Sequence, residues 1–491
     1  MSPTSRFVSM RNGGSLDFSR VPMAPIEDFR SGVLKMIAAK HRLCALLCTG
    51  KDGRPPGGLL AVLADDIGGK LFLAASQPVA RYPALTPDLA QAHLFEREIH
   101  EGSGVVPEGH PWLKPVRLTP PDKVSFFQEQ GEEVHEVAVG PIHAGIIEPG
   151  HFRFQCHGET VHHLEIQLGY QHRGAERLLR EGPERRSLAV AESICGDTAV
   201  AHAWAHCAVR EALAAASLTL RAEALRAVLL ETERLANHIG DLGAISNDIG
   251  YLPATAYFGR MRGDFLNMLM SVSGNRYGKG MIKPGGAAFD LPDAMRAEML
   301  ETINRSVVQV REVADMFFGE PSVISRLEDT GIVSSQVCED LGLVGVCARA
   351  TGADRDVRQD HPFGLYRFRH IPVIKLDSGD VFARAMVRFL EAQRSLEFLG
   401  ALIGHLPEGA VAVPCGVPAA NQLAISLVEG WRGEVCHIAK TGSDGGYEWY
   451  KVVDPSFHNW MGLSMALRGG EISDFPLCNK SFNLSYAGHD L

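Results

Sequence analysis

The sequence predicts an α+β unit over residues 1–117, a linker over 118–139, and a mainly α unit with small β elements over 140–491. Three observations predict it. Short strand-like runs beside one amphipathic helix fill the first part of the chain, and long Ala/Leu-rich stretches at helical period fill its middle. Between them lies a Pro-rich, charged stretch, KPVRLTPPDKVSFFQEQGEEVHEVAVG, at 114–140. With 491 residues, 45% hydrophobic and 22% charged, the chain is long enough for two or three domains with cores of their own.

The helix IEDFRSGVLKMIAAKHR (26–42) opens the first unit. The runs CALLCTG and LLAVLADDIGGKLFLAA follow as strands, interrupted at GKDGRPPGG and IGG, where glycine and proline favour turns. After Gly140, HFRFQCHGETVHHLEIQL (151–168) alternates as strands do. Helical patterns come next at 184–216, 219–246, 256–273 and 292–317, with further helices expected at 376–404 and 416–429. GEVCHIAKT and YEWYKVVD return to β, and neither repeats nor low-complexity tracts occur.

Composition narrows the function. A net charge of −10 argues against a nucleic-acid-binding face, because phosphate neutralisation needs a basic surface. Ten cysteines without regular spacing, behind a start (MSPTSRFVSMRNGG) that lacks a basic-then-apolar signal pattern, lead us to expect a reducing cytoplasm. No apolar run approaches the roughly 20 residues of a spanning helix.

Within AESICGDTAVAHAWAHC (191–207), His202 and His206 stand at i and i+4 on one helix face, a spacing zinc sites use. The hydrolytic version needs a Glu directly after the first histidine, and that residue is Ala203. Packed core histidines are the plainer reading. No GxxxxGK[ST] or GxSxG motif is present, and the glycine clusters lack a strand-then-helix setting.

Eight ordered stretches carry a resemblance: GPIHAGIIEPGHFRF (140–154), LGYQHRGAERLL (168–179), ESICG (192–196), ETERLANHIGDL (231–242), IKPGGA (282–287), ARATGADRDVR (348–358), VEGWRGEV (428–435) and DPSFHNW (454–460). Through them the second unit resembles the large subunit of membrane-bound, energy-converting nickel–iron hydrogenases of the formate hydrogenlyase type. It equally resembles the quinone-site subunit of complex I. The first unit resembles the small companion subunit of complex I through EREIHEGSGVVPEGHPWLKP (96–115), and some members of both families fuse the two.

In the hydrogenases, the resemblance implies, two Cys-x-x-Cys pairs hold nickel and iron through four thiolates, which suit soft metals. Here the first pair aligns with Cys195 and Thr198, the Arg expected before it is Ser193, and the second pair falls on Ser485 and Gly488. Cys207 and Cys478 are displaced in register. One thiolate of four remains, so no nickel–iron centre is expected, and the tail that hydrogenases remove after metal insertion is expected to be missing too. Nor are there clustered cysteines for an iron–sulfur cluster of the chain's own.

The complex I comparison implies other residues. His143 matches a histidine that holds the quinone headgroup, whereas the matching tyrosine position falls on or near Glu192, a hydrogenase-like residue. Arg173 matches an arginine beside the terminal iron–sulfur cluster of the adjacent small subunit, where a cation favours the reduced state; its plainer role is pairing with Glu176. Asp354, Asp356 and Arg358 are expected to line the same cavity or to form a solvated charge run. The resemblance thus implies a large subunit in the peripheral arm of a multi-subunit complex, on the cytoplasmic side of the inner membrane. Its expected partners are an iron–sulfur small subunit, a ferredoxin-like subunit and membrane antiporter-like subunits, and its expected task is coupling electron transfer to ion translocation. An active hydrogenase or quinone oxidoreductase large subunit, and a non-catalytic scaffold, stand as alternatives.

Overall fold

The structure, a computed structural model, describes residues 6–50, 56–118, 123–131, 133–143, 147–182 and 184–491. Its N-terminal part is built on β1 (Val8–Met10), β2 (Ser15–Asp17), β3 (Met23–Ala24), α1 (Ile26–Ala38), β4 (Arg42–Cys48), β5 (Leu59–Asp65) and β6 (Lys70–Ser76). The parallel pair β7 (Arg81–Pro83) and β8 (Val106–Glu108) follows, with α2 (His93–Ser103) between them. β1, β6, β5 and β4 lie side by side as antiparallel neighbours, and β3 adds to β6 in parallel. β4 and β5 are buried along nearly their whole length, which is why their sequences run apolar instead of alternating.

β9 (Val134–Val139), β10 (His151–His157) and β11 (Thr160–Gln167) make a three-stranded sheet. The stretch 118–139, read as linker, therefore ends in a paired strand. The helices α3 (Ala175–Glu181), α4 (Glu184–Ala191), α5 (Ala199–Leu213), α6 (Leu220–Asp248) and α7 (Leu252–Ser273) follow. The single helical pattern read over 184–216 is two helices, parted by the turn at 192–198. α6 begins at Thr219, whose side chain accepts from the Ala222 N–H. It is buried nearly all round, as a helix at the centre of a bundle must be. After the short pair β12 (Ile282–Lys283) and β13 (Gly286–Ala287) come α8 (Asp293–Phe318), α9 (Pro321–Leu327), α10 (Ser335–Leu341), α11 (Gly345–Arg349), α12 (Val357–Asp360) and α13 (Val381–Gly404). α6, α7, α8 and α13 pack together as the helical core.

β14 (Gln422–Gly430), β15 (Gly433–Thr441) and β16 (Tyr447–Val453) form an antiparallel sheet that β2 completes beside β14. The last helices are α14 (Pro455–Leu467), α15 (Phe475–Phe482) and α16 (Tyr486–Asp490). The helix expected at 416–429 is thus a strand. β14 is an inner strand buried on both faces, so its apolar run shows no period that separates strand from helix. Ile425 and Val428, after a left-handed Asn421, favour the strand. The two ends of the chain interlock, because Arg42 of β4 pairs with Glu434 of β15 and Lys451 of β16 pairs with Glu98 of α2.

The α+β beginning and the mainly helical remainder with small sheets are as the sequence predicts. Among the described residues no helix is long and apolar enough to cross a membrane.

Candidate functional site

The turn between α4 and α5, the hairpin tip between β14 and β15 and the start of α16 meet around Cys195. Cys195 is buried, and its thiol donates to Asp197 Oδ1 at 3.1 Å and to Thr198 Oγ1 at 3.3 Å. The hairpin tip carries Trp431 and Arg432 between Gly430 and Gly433. Gly433 has φ 137°, and a Cβ there would come within 2.8 Å of the Gly345 N, so only glycine lets the hairpin tip pack this closely on the start of α11.

That turn aims Arg432 into the pocket. Its Nη1 donates to Asp197 Oδ1 at 2.5 Å, to Thr198 Oγ1 at 3.0 Å and to the Cys195 sulfur at 3.3 Å. Nη2 donates to Asp197 Oδ2 at 2.9 Å and Nε to the Asn483 carbonyl at 2.5 Å. The guanidinium also lies 3.9 Å from the Trp431 ring centroid, a cation–π contact that fixes its plane. Burial, and next Asp197, push the Cys195 thiol well above its ordinary range despite the opposing pull of Arg432 and Ser485. Burial pushes the Asp197 carboxyl up as well, but Arg432 outweighs it and holds that group below its ordinary value.

On the third side, Ser485 caps α16 by accepting from the Gly488 N–H at 2.8 Å. A Cβ at Gly488 would fall 2.6 Å from the Asp454 carboxyl carbon, so a side chain there displaces Asp454. The positions of the expected thiolate pairs do gather around one pocket, and the residues present do not fit a four-thiolate centre. They offer one thiol, two hydroxyls and a glycine, with a cation against the only sulfur. Among the described residues no group of three or more His, Cys, Asp or Glu is placed to hold a metal.

Arg173 is exposed, yet its guanidinium donates to the carbonyls of Ser193 (2.5 Å), Ile194 (2.9 Å) and Ala487 (3.4 Å). It straps the Cys195 turn to α16, while Glu176 pairs with Lys451 instead. Glu192 accepts from the Gly280 N–H at 2.6 Å, and burial raises its carboxyl pKa. His143 bonds the Gly150 carbonyl through Nε2 at 2.9 Å. It lines a cavity of about 650 Å³ with Tyr486, Phe154, Phe475 and Leu484, where Lys480 and Asp248 supply the charges. Residues 483–486 connect this cavity to the Arg432 pocket, since Asn483 holds Arg432 and Ser485 caps α16.

Asp356 and Arg358 are placed elsewhere. Both are buried, bonded to each other at 2.6 Å, and Arg358 reaches Glu231 at 3.2 Å. Arg349 joins them by pairing with Glu391 and Glu429, each at 2.7 Å, and Arg234 pairs with Glu231 at 3.2 Å. These residues form a buried ionic lattice across α6, α11, α12, α13 and β14, neither the cavity wall nor the solvated run expected from the sequence. Asp354 alone is solvated, paired with Lys375. His202 and His206 hold no zinc-like set; each is buried and bonded to neighbouring side chains.

Sequence reasoning missed Asp197, Arg432 and Glu148 at the site. Arg432 lay inside VEGWRGEV, and its signal was a Trp-Arg pair between two glycines flanked by strands, a tight hairpin tip. Glu148 takes the N–H groups of Tyr486 and Ala487 at the start of α16, and burial raises its carboxyl pKa. No sequence spacing announces a contact across more than three hundred residues.

Residues 248–416 match the family described as respiratory-chain NADH dehydrogenase, 49 Kd subunit. Formate hydrogenlyase subunit 5 of Escherichia coli (strain K12) is 28% identical over 481 residues, covering 90% of this chain and 84% of that protein. The carbon monoxide-induced hydrogenase of Rhodospirillum rubrum is 28% identical over 71% of this chain and 97% of its own. NADH-quinone oxidoreductase subunit 4 of Thermus thermophilus is 28% identical over 74% of this chain and 95% of its own.

Proposed function

We propose, for a chain that is a relative of the hydrogenase and complex I large subunits, the role of a large subunit without a nickel–iron centre in a complex I-like, membrane-associated oxidoreductase. The observation that carries this reading is the Arg432 guanidinium in the pocket of Cys195, Thr198, Ser485 and Gly488. A nickel–iron centre needs several soft thiolates, and a fixed cation 3.3 Å from the one remaining sulfur opposes a further positive charge.

In this role the chain forms one wall of the space where electrons from an adjacent iron–sulfur subunit reach their acceptor. Arg173 stands beside the partner's cluster, and a ferredoxin-like subunit and antiporter-like membrane proteins make up the rest of the assembly on the cytoplasmic side of the inner membrane. Electron arrival is passed to those membrane proteins as ion translocation. The names of the relatives, hydrogenases and an NADH-quinone oxidoreductase subunit, support membership of such a complex. Elemental analysis of the purified complex tests the reading. Iron from neighbouring clusters with essentially no nickel is expected, and one nickel per chain overturns it.

The cavity of about 650 Å³ favours a second reading, that the chain also holds a quinone or another small acceptor with an apolar body between His143 and Tyr486. The purified complex then reduces or oxidises such an acceptor, and His143→Ala raises the KM for it. A complex that turns over no acceptor at all returns the chain to a scaffold.

A further inference from the structure

We propose that Asp454, His202, His437, Tyr450, His206 and Ser187 form a proton relay through the core, carrying one proton at a time between α4 and the Arg432 pocket.

The relay begins with the i, i+4 spacing that sequence analysis singled out. His202 and His206 share one face of α5, which packs on β14 and β15. His437 of β15 lies opposite Val452 of β16, so Tyr450, two residues earlier on the same face, is its diagonal neighbour. The tyrosine hydroxyl thereby falls between two imidazoles. Asp454 Oδ2 is 3.0 Å from His202 Nε2, and His202 Nδ1 is 3.0 Å from His437 Nε2. His437 Nδ1 and His206 Nδ1 each lie 2.9 Å from the Tyr450 hydroxyl, and His206 Nε2 lies 3.1 Å from Ser187 Oγ. All six side chains are buried, and every ring nitrogen of the three histidines has its partner within the row.

Donor and acceptor counting allows two arrangements of the row, which differ by one proton. In the first, all three histidines are neutral. His206 donates from Nδ1 to the tyrosine oxygen, the tyrosine donates to His437 Nδ1, His437 donates from Nε2 to His202 Nδ1, and His202 donates from Nε2 to the Asp454 carboxylate. A proton arriving at His206 Nε2 releases the His206 Nδ1 proton to Tyr450, the Tyr450 proton to His437 Nδ1, and the His437 Nε2 proton to His202 Nδ1. The second arrangement has His202 as imidazolium against Asp454 and every bond between His206 and His202 reversed. No heavy-atom bond forms or breaks and no electron moves. The reverse passage, with a proton leaving at His206 Nε2, moves the same protons back and restores the first arrangement.

Both ends open onto suitable places. Ser187 Oγ reaches the Glu184 carbonyl at 2.8 Å, and the Glu184 carboxylate is exposed on α4 beside Arg210. Asp454 lies against Gly488, in the field of Arg432. The other groups near the row are Glu233, which accepts from the Val200 and Ala201 N–H groups, and Tyr447, Cys207 and Cys436 around Tyr450. Burial, then Arg210, brings His206 to about 4, and burial, then His202, holds His437 well below its ordinary value. Of the three imidazoles only His202 faces a carboxylate of the row, Asp454, which compensates a charge at that end. The proposal deepens the reading above, because the relay's inner end is the pocket assigned there.

Imidazole nitrogen NMR of the full-length chain labelled with ¹⁵N-histidine, titrated with acid, tests the relay. Substitution of single histidines assigns the signals. As His202 gains its proton, His437 should change from the Nε2–H to the Nδ1–H form and His206 from the Nδ1–H to the Nε2–H form, at the same midpoint and without gaining charge. In Tyr450→Phe, His437 should still follow His202, while His206 keeps one tautomer throughout. The relay is overturned if His202 takes up no proton, if His206 keeps one tautomer in the native chain, or if His206 still switches in Tyr450→Phe. Should that variant not fold, the native titration decides alone. Nickel content does not enter this experiment, so the relay and the nickel-free reading fail separately.

Discussion

The ionic lattice around Arg358 and the pocket around Arg432 are both buried and both carry arginine, yet their charges are balanced differently. The lattice sets three guanidiniums (Arg234, Arg349, Arg358) against four carboxyls (Glu231, Asp356, Glu391, Glu429). Burial and then Asp356 raise the Glu429 carboxyl pKa, while Arg349 and the Val357 N–H donate to its two oxygens. Hydroxyls complete the set, since Tyr366 and Ser395 each donate to Glu231 at 2.6 Å. The Arg432 pocket has one cation, paired directly with Asp197 and with the carboxyls of Asp454 and Glu148 in its field, and the Asp197 side chain remains 31% exposed. A closed set of charges fixes five elements in register; a sparse one beside a cavity leaves room for chemistry.

The largest effect that separates the two regions is on stability. Replacing one partner of a buried ion pair strands the others, at a cost of about 3–5 kcal/mol. Arg358→Met should lose that much in denaturant unfolding, while Thr198→Val in the pocket should stay within about 1 kcal/mol. Equal losses would erase the distinction.

Glu233 provides the next test, because burial raises its carboxyl to about 8. The folded state keeps this proton where the unfolded chain has lost it, so native stability falls as pH rises from about 4.5 to 8. Glu233→Gln should remove that slope, matching the native chain near pH 5 and exceeding it by about 2–4 kcal/mol near pH 8. A pH-independent difference would mean that the carboxyl is ionised throughout.

Arg432→Met should cost less, about 1–3 kcal/mol, by leaving Asp197 partly buried without its cation. Since Arg432 depresses the Asp197 pKa, the stability it supplies is present above the unfolded carboxyl pKa and is lost as pH falls through the folded value. The Met variant should therefore differ most from the native chain near neutrality and least in acid. A difference that grew in acid would contradict the pairing. The smallest effect belongs to the exposed Asp354–Lys375 pair, where Asp354→Ala should change the unfolding free energy by less than about 0.5 kcal/mol. A larger loss would extend the lattice to the surface.

Much of this was legible in the sequence. The helices α6, α7 and α8 follow the read pattern within a few residues, because a long Ala/Leu-rich run at helical period declares itself. The resemblance groups Cys195 with Thr198, Ser485 and Gly488, and the structure brings these positions around one pocket. β14 was mistaken for helix because a doubly buried strand carries no period. ADRDVR reads as a cavity wall or a solvated charge run because a charged motif does not say which charges lie opposite it, and Asp356 and Arg358 instead lie in a buried lattice.

The sequence by itself determined the α+β beginning and the helical core, since each is a property of residue type and local spacing. Only the tertiary structure decided that Arg432 fills the Cys195 pocket, that ADRDVR closes an ionic lattice, and that His202 and His206 join His437 and Tyr450 in one row. Those facts depend on contacts between residues more than two hundred positions apart in the case of Arg432 and Cys195. Hydrogen bonds and ion pairs act over a few ångströms of space, and nothing in the spacing along the chain records which distant partner folding brings within reach.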